Sequence, residues 1–220
     1  GYFFQFWFFG ALILIYLCLP ILKKILNSKR SYLYILSSLV TIGLVFELAN
    51  MVLQMPLQSY VIQTFRLWTW FFYYILGGFL AQFSLDTLKK CFRSWMKEMT
   101  VVLLFASPLI LFMLAKYIHH NLFAEYFYDS IFVKVVSLGT FLTVLTFDLN
   151  TDKNRWIIYL SNQTMGVFVI HTYVMKVWEK LVGFSFAGAH LLFPISTLCV
   201  SLIVVSLLMK IPYFNRIVKL

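Results

Sequence analysis

Charge is the scarcest property of this sequence. Asp, Glu, Lys and Arg together make up 12% of its 220 residues, and only eight of them are acidic. A soluble domain of that size has more surface than so few charges can cover, which excludes the soluble globular class. Cysteine is also scarce. Cys18, Cys91 and Cys199 stand far apart with no CxxC or Cys/His spacing, so neither a disulfide framework nor a metal site is expected. No charged stretch precedes the opening apolar run GYFFQFWFFG and no cleavage-type site follows it, so this run is not expected to be a signal peptide. The initiator methionine is missing too, and the chain is expected to be a piece of something longer. The net charge of +10 comes with no nucleic-acid-binding motif. Its basic residues cluster between apolar segments, as they do when they orient a membrane protein, so no nucleic-acid partner is expected.

Hydrocarbon is what the sequence has in quantity. Hydrophobic residues reach 62% and aromatic residues 20%, with a mean hydropathy of +0.87. Seven apolar segments lie near 3–22, 32–53, 67–85, 99–117, 131–147, 157–177 and 191–209. Each is long enough, or nearly so, to cross a hydrocarbon layer of about 30 Å as a helix. Lipid offers no partners to an open strand edge, so the expected fold is all-α, a polytopic membrane helix bundle of about seven transmembrane helices. No linker, repeat or low-complexity tract interrupts it, and 1–220 reads as a single transmembrane domain.

The connections set the orientation. KKILNSKR (23–30), DTLKKCFRSWMKE (86–98), DKNR (152–155) and the tail KIPYFNRIVKL hold 13 of the Lys and Arg residues. The alternate loops, with Arg66, Lys116, Lys134, Lys176 and Lys180, hold 5. The richer set is expected on the cytoplasmic side, which puts the N-terminus outside and the C-terminus in the cytoplasm of a multi-pass cell-membrane protein. Gly77 and Gly78 predict a close helix–helix contact, and Pro108 and Pro194 predict kinks.

Ionisable groups at membrane depth cost about 2.5–3.5 kcal/mol to insert, so each needs a reason. Glu47 and His171 stand out. Each lies six residues before the predicted outer end of its segment, roughly 9 Å below the outer surface. Ser161, Thr164, Phe168, His171, Met175 and Trp178 recur at three- and four-residue steps, one side of a helix. Asn50 lies about one turn after Glu47, and Gln5 and Arg66 lie near the same boundary. The expectation is a polar pocket open to the outside that holds Glu47, Asn50, His171, Gln5 and Arg66. Interhelical hydrogen bonding is the competing structural explanation for each. His119 and His120, beside Asn121, Glu125 and Asp129, read as solvated loop residues. The cytoplasmic Lys/Arg clusters fit topology and contact with the lipid bilayer, and would also suit a phosphate-bearing donor such as a coenzyme A thioester.

Three stretches resemble the acyltransferase 3 family. QFWFFGALILIYLCLPIL is similar to its aromatic cluster leading into a Tyr-x-x-x-Pro helix, with Tyr16 and Pro20 in place and Gln5 where His is common. YYILGGFLAQF resembles its aromatic-glycine helix. LSNQTMGVFVIHTYVM resembles its late S-x-x-(S/T)-x-x-x-(Y/F)-x-x-H helix, with Ser161, Thr164, Phe168 and His171 matching. The resemblance implies an integral membrane O-acyltransferase, typically an O-acetyltransferase of the bacterial cytoplasmic membrane. Its donor would be acyl-CoA, acetyl-CoA above all. Its acceptor would be a cell-surface or lipid-linked glycan. It also implies a ten-helix domain of which these seven helices are the C-terminal portion, and the family's first-helix catalytic His has no counterpart here. Under that resemblance His171 and Glu47 are the candidate catalytic-site residues, and Gln5, Asn50, Arg66, Ser161 and Thr164 the candidate substrate-binding ones. A transporter or flippase-like protein, or a non-catalytic scaffold, are the alternatives.

Overall fold

The computed structural model describes residues 6–123, 127–147, 155–182 and 189–211, with the side chains of 182 and 189–191 left aside. Gln5 lies outside the described residues. Among the described residues the chain is all-helical: α1 (Trp7–Ile25), α2 (Lys29–Leu53), α3 (Leu67–Leu80), α4 (Leu85–Cys91), α5 (Ser94–Met113), α6 (Ile131–Thr146), α7 (Arg155–Ser161), α8 (Thr164–Val182) and α9 (Ala189–Leu208). The chain forms two units. One runs from Trp7 to Phe147, and α7, α8 and α9 belong to the other.

Local chemistry sets the helix starts in the first unit. Ser28, Ser84 and Ser130 each stand before a helix with extended backbone and accept a hydrogen bond from an N–H three residues on. That satisfies one of the orphan donors a helix start leaves behind. α2 ends at Gln54, whose φ of 52° is left-handed, and two short 3₁₀ turns, Leu57–Tyr60 and Gln63–Phe65, lead into α3. α5 continues as a π-helical turn over Leu114–Ile118. Pro108 has no N–H for the Leu104 carbonyl, and the Ser107 hydroxyl donates to that carbonyl instead, at 2.7 Å.

α1, α2 and the continuous stretch Ser94–Ile118 are long and apolar enough to cross a membrane, with mean hydropathies of 2.0, 1.9 and 2.2. α3, α6 and Leu192–Leu208 are shorter apolar helices. Their apolar side chains point outward in number. Phe105 and Val52 are each 81% exposed, which in water would be a large liability and in lipid is none. The inner contact is small, with Leu36 of α2 packed on Phe72 and Ile75 of α3.

Two expectations about helices change. The sixth apolar segment is not one helix but two, α7 and α8, parted at Asn162 and Gln163. α8 then runs on to Val182, five residues beyond its predicted end at 177, so the equal depth of Glu47 and His171 no longer follows from helix lengths. The close contacts also lie elsewhere than predicted. A side chain at Gly77 would meet nothing, and one at Gly78 would only touch the Tyr32 ring at 3.4 Å. The tight approaches among the described residues are at Gly10, where a methyl would come within 2.8 Å of the Thr64 side chain, at Gly139, where it would come within 2.6 Å of the Thr100 hydroxyl, and at Gly43, described below.

Candidate functional site

In the first unit, one end of α2, α3 and α6 converges on a buried polar network centred on Asp129. Asp129 is 2% exposed. Its Oδ2 accepts from Gln58 Nε2 and from Trp68 Nε1, both at 3.1 Å, and its carbonyl accepts from Lys134 Nζ at 2.6 Å. Gln58 is fully engaged. Its side-chain oxygen accepts from Asn50 Nδ2 at 2.6 Å, and its carbonyl accepts from Arg66 Nη2 at 2.6 Å. Asn50 Oδ1 accepts from the Leu57 N–H at 2.9 Å. Buried amides and charges are tolerated only when so paired.

The sequence provides for this geometry at each helix end. Ser130 caps α6, which leaves Asp129 just outside the first turn and Lys134 one turn in. Lys134 reaches back to the Asp129 carbonyl over Gly43 of α2, where any Cβ would collide with its ammonium and with the Asp129 carbonyl. Its ammonium lies 5.0 Å from the Phe72 ring centroid, a favourable position for a cation. Trp68 stacks on Phe46 at 4.7 Å, which aims its indole N–H at Asp129. Tyr73 donates to the Tyr128 carbonyl at 2.8 Å.

Glu47 sits at the edge of this network, half-buried, and its carboxylate accepts from the Ile131 N–H at 3.4 Å. A carboxylate at a helix start is well placed against the helix dipole. His119 is buried beside the Phe127 ring, and its Nδ1 has no partner among the described residues. Burial pushes its pKa below the usual imidazole range, against the pull of Glu47. Burial likewise lowers the Arg66 guanidinium pKa, and the Asp129 charge opposes it. Arg66 also faces the Phe123 ring at 5.7 Å.

Asn50 and Arg66 are therefore brought together, both bonded to Gln58, but as buried internal partners rather than as the lining of an open pocket. The solvated-loop reading of the pair His119-His120 fails for His119, which is buried, while His120 is exposed, and Lys134 belongs to α6 rather than to a loop. Sequence reasoning missed Gln58, Trp68, Asp129 and Lys134 as network members. The available signal was a Lys one turn after Asp-Ser at the start of an apolar run.

His171 belongs to the other unit. With Thr164, Val167, Phe168, Met175, Phe193, Pro194, Thr197 and Leu198 it lines a cavity of about 420 Å³ between α8 and α9. Thr164, Phe168, His171 and Met175 do share one face. Ser161 lies exposed at the end of α7, outside that continuous face. The expected polar pocket is thus apolar on most of its wall. His171 Nδ1 lies 2.7 Å from the Phe168 carbonyl and 3.2 Å from that of Val167. Carbonyls only accept, so Nδ1 carries the proton at these contacts, and Nε2 is the nitrogen left to other partners. Trp178 Nε1 donates to Ser196 Oγ at 2.7 Å. Towards the other end of the helix pair, Tyr159 Oη meets Ser206 Oγ at 3.1 Å, and Ser206 donates to Gln163 Oε1 at 3.1 Å. The Trp178 bond ties α8 to α9, and the Ser206 bonds tie α9 to α7 and to the α7–α8 junction.

Among the described residues no three His, Cys, Asp or Glu side chains gather as a metal site. A family model described as an acyltransferase domain matches residues 1–210. Comparison with curated proteins and with solved structures yields no match.

Proposed function

We propose, from the premise that the chain belongs to the acyltransferase 3 family of membrane acyltransferases, that it transfers an acyl group from a cytosolic thioester to a hydroxyl of a cell-surface or lipid-linked glycan. The family match over residues 1–210 is the observation that carries this reading. Acetyl from acetyl-CoA is the first donor to test. The proposed setting is a bacterial cytoplasmic membrane, with seven spans, the N-terminus outside and the basic loops 23–30, 86–98 and 152–155 in the cytoplasm.

In the transfer, the acceptor oxygen attacks the acyl carbon, an ester C–O bond forms, the thioester C–S bond breaks and the hydroxyl proton ends on the departing thiol. Such a step needs the hydroxyl held in one orientation. His171 is assigned that task, because its Nδ1 is committed to the Phe168 carbonyl and its Nε2 is left to accept from the hydroxyl when the ring is neutral. Glu47, half-buried at the edge of the Asp129 network, is assigned to hydrogen-bond the glycan. Asn50 and Arg66 act through Gln58, holding the ends of α2 and α3 in place.

His171→Gln tests the assignment. A hydrogen bond of about 1.4 kcal/mol to the reacting hydroxyl corresponds to roughly tenfold in rate. The variant should insert at normal levels and lose at least that much acyl transfer. Full activity would make His171 a packing residue.

A further inference from the structure

The apolar helices α2 and α3 are joined by a loop that carries no charge. Residues 54–65, QMPLQSYVIQTF, hold no Asp, Glu, Lys, Arg or His. A connection of that length in water ordinarily shows polar side chains to the solvent. This one shows Met55, Tyr60, Ile62 and Phe65 instead, with Tyr60 72% and Ile62 70% exposed. They follow directly on Val52 and Leu53, the exposed apolar end of α2. The lipid-facing surface of the helix thus runs on into the loop.

The loop's polar groups turn inward or bond to nearby backbone. Gln58 points into the Asp129 network, and Arg66 ties the Gln58 and Val61 carbonyls at 2.6 and 3.2 Å. The Thr64 hydroxyl donates to the Trp7 carbonyl at 3.4 Å, and the Gln63 carbonyl accepts from Trp70 Nε1 at 2.7 Å. The exposed polar side chains are bonded locally. Ser59 Oγ donates to the Pro56 carbonyl at 2.6 Å, and Gln54 Nε2 to the Met51 carbonyl at 2.7 Å. The N–H groups of Leu57, Ser59, Val61, Phe65 and Arg66 close short turns within the segment. A loop in water has no need of such provision, whereas one withdrawn from water does.

Helix length points the same way. α3 has 14 residues, about 21 Å at 1.5 Å per residue, against a hydrocarbon layer of about 30 Å. For α3 to cross, neighbouring chain must lie within the membrane boundary. The segment before it is uncharged over 12 residues, whereas charge resumes at Asp86 soon after its end. We propose that residues 54–65 form an interfacial loop seated in the outer leaflet, with bilayer lipid as the partner of its exposed face. Tyr60, an apolar ring with a polar tip, sits at the headgroup level, and Ile62 and Phe65 reach the upper acyl chains. The opposite face of the loop holds Gln58 against Asp129. The proposal rests on α3 crossing the membrane as in the topology above, and not on the acyl-transfer chemistry.

Spin labelling of the full chain in nanodiscs of phosphatidylcholine and phosphatidylglycerol tests this. Nitroxides go on Tyr60→Cys, Ile62→Cys and Phe65→Cys, and on Lys90→Cys as the solvated reference, each in a chain carrying Cys18→Ser, Cys91→Ser and Cys199→Ser. All four labelled positions are exposed, so the labels leave the packing intact. Seated about 5–10 Å into the headgroup and acyl boundary, the loop labels should favour oxygen over a water-soluble nickel chelate at least about threefold more than the reference does. A preference no different from the reference at two of the three positions would place the loop in water and overturn the proposal. Immobilised labels that neither reagent reaches would overturn it too, because a second copy or another protein would then cover the face. In the chain with its native residues, a phosphatidylcholine with a diazirine near the carboxyl end of one acyl chain should label residues 54–65. Labelling of α2 without this segment would contradict the proposal as well. Both measurements read depth rather than sidedness or activity, so a reversed orientation or an absence of acyl transfer would leave their result standing.

Discussion

The Asp129 carboxylate is where the first unit's buried polar network closes. It accepts from Gln58 Nε2 and Trp68 Nε1, and hydrogen bonds to a buried charge are worth about 1.5–3 kcal/mol each; Lys134 holds the backbone carbonyl instead. Asp129→Ala should therefore cost about 3 kcal/mol, read as a lowered unfolding midpoint in detergent; an unshifted midpoint would remove it from the core of the account. His119 gives a pH signature. Its pKa is lowered in the folded state, so between the folded value and the unfolded one near 6.5 the unfolded chain binds more protons. Stability is then full above about pH 6.5 and falls as pH drops through that window. His119→Gln should flatten this decline in a midpoint-against-pH series, and an identical slope would show that other groups cause it. His171 was legible in the sequence because an imidazole inside an apolar run has few explanations. Asp129 was not legible, because an Asp in a loop is ordinarily solvated.

At the scale of elements, hydrophobic runs located the helices well, because apolar length is a direct requirement of a lipid-facing helix. Their ends and contacts were less visible. The break at Asn162 and Gln163 lies inside an apolar segment and follows from local backbone geometry. The glycine pair 77–78 looked like a packing motif, yet Gly43 is the position where space decides the structure. Gly43→Ala should lower stability by about 1–3 kcal/mol, the usual cost of overpacking. Adding Lys134→Met should recover only part of that, because the Asp129 carbonyl remains 2.8 Å from the new methyl. Thermal unfolding of the single and double variants checks this; complete recovery would mean that the backbone contact carries no strain.

The whole molecule is a membrane acyltransferase by family, with three helices long and apolar enough to span. The proposed seven-span topology has a built-in probe. Cys91 is exposed and lies in the basic stretch 86–98. In intact cells a membrane-impermeant maleimide should leave Cys91 unlabelled, and permeabilisation should expose it; labelling from outside would invert the orientation. At this scale the sequence was most informative about class, since composition reports it directly, and loop charge supplies the orientation that the labelling tests. The acceptor was not legible, because a glycan is recognised by a few hydrogen bonds whose geometry no pattern of residue types encodes.

Mass analysis of surface and lipid-linked glycans tests the central claim most directly, in cells lacking the gene, complemented with it, and complemented with His171→Gln. The account predicts an acyl mass increment that disappears with the gene, returns with the wild-type copy and stays low with the variant. Identical glycan masses in all three, with the protein present in the membrane, would contradict it.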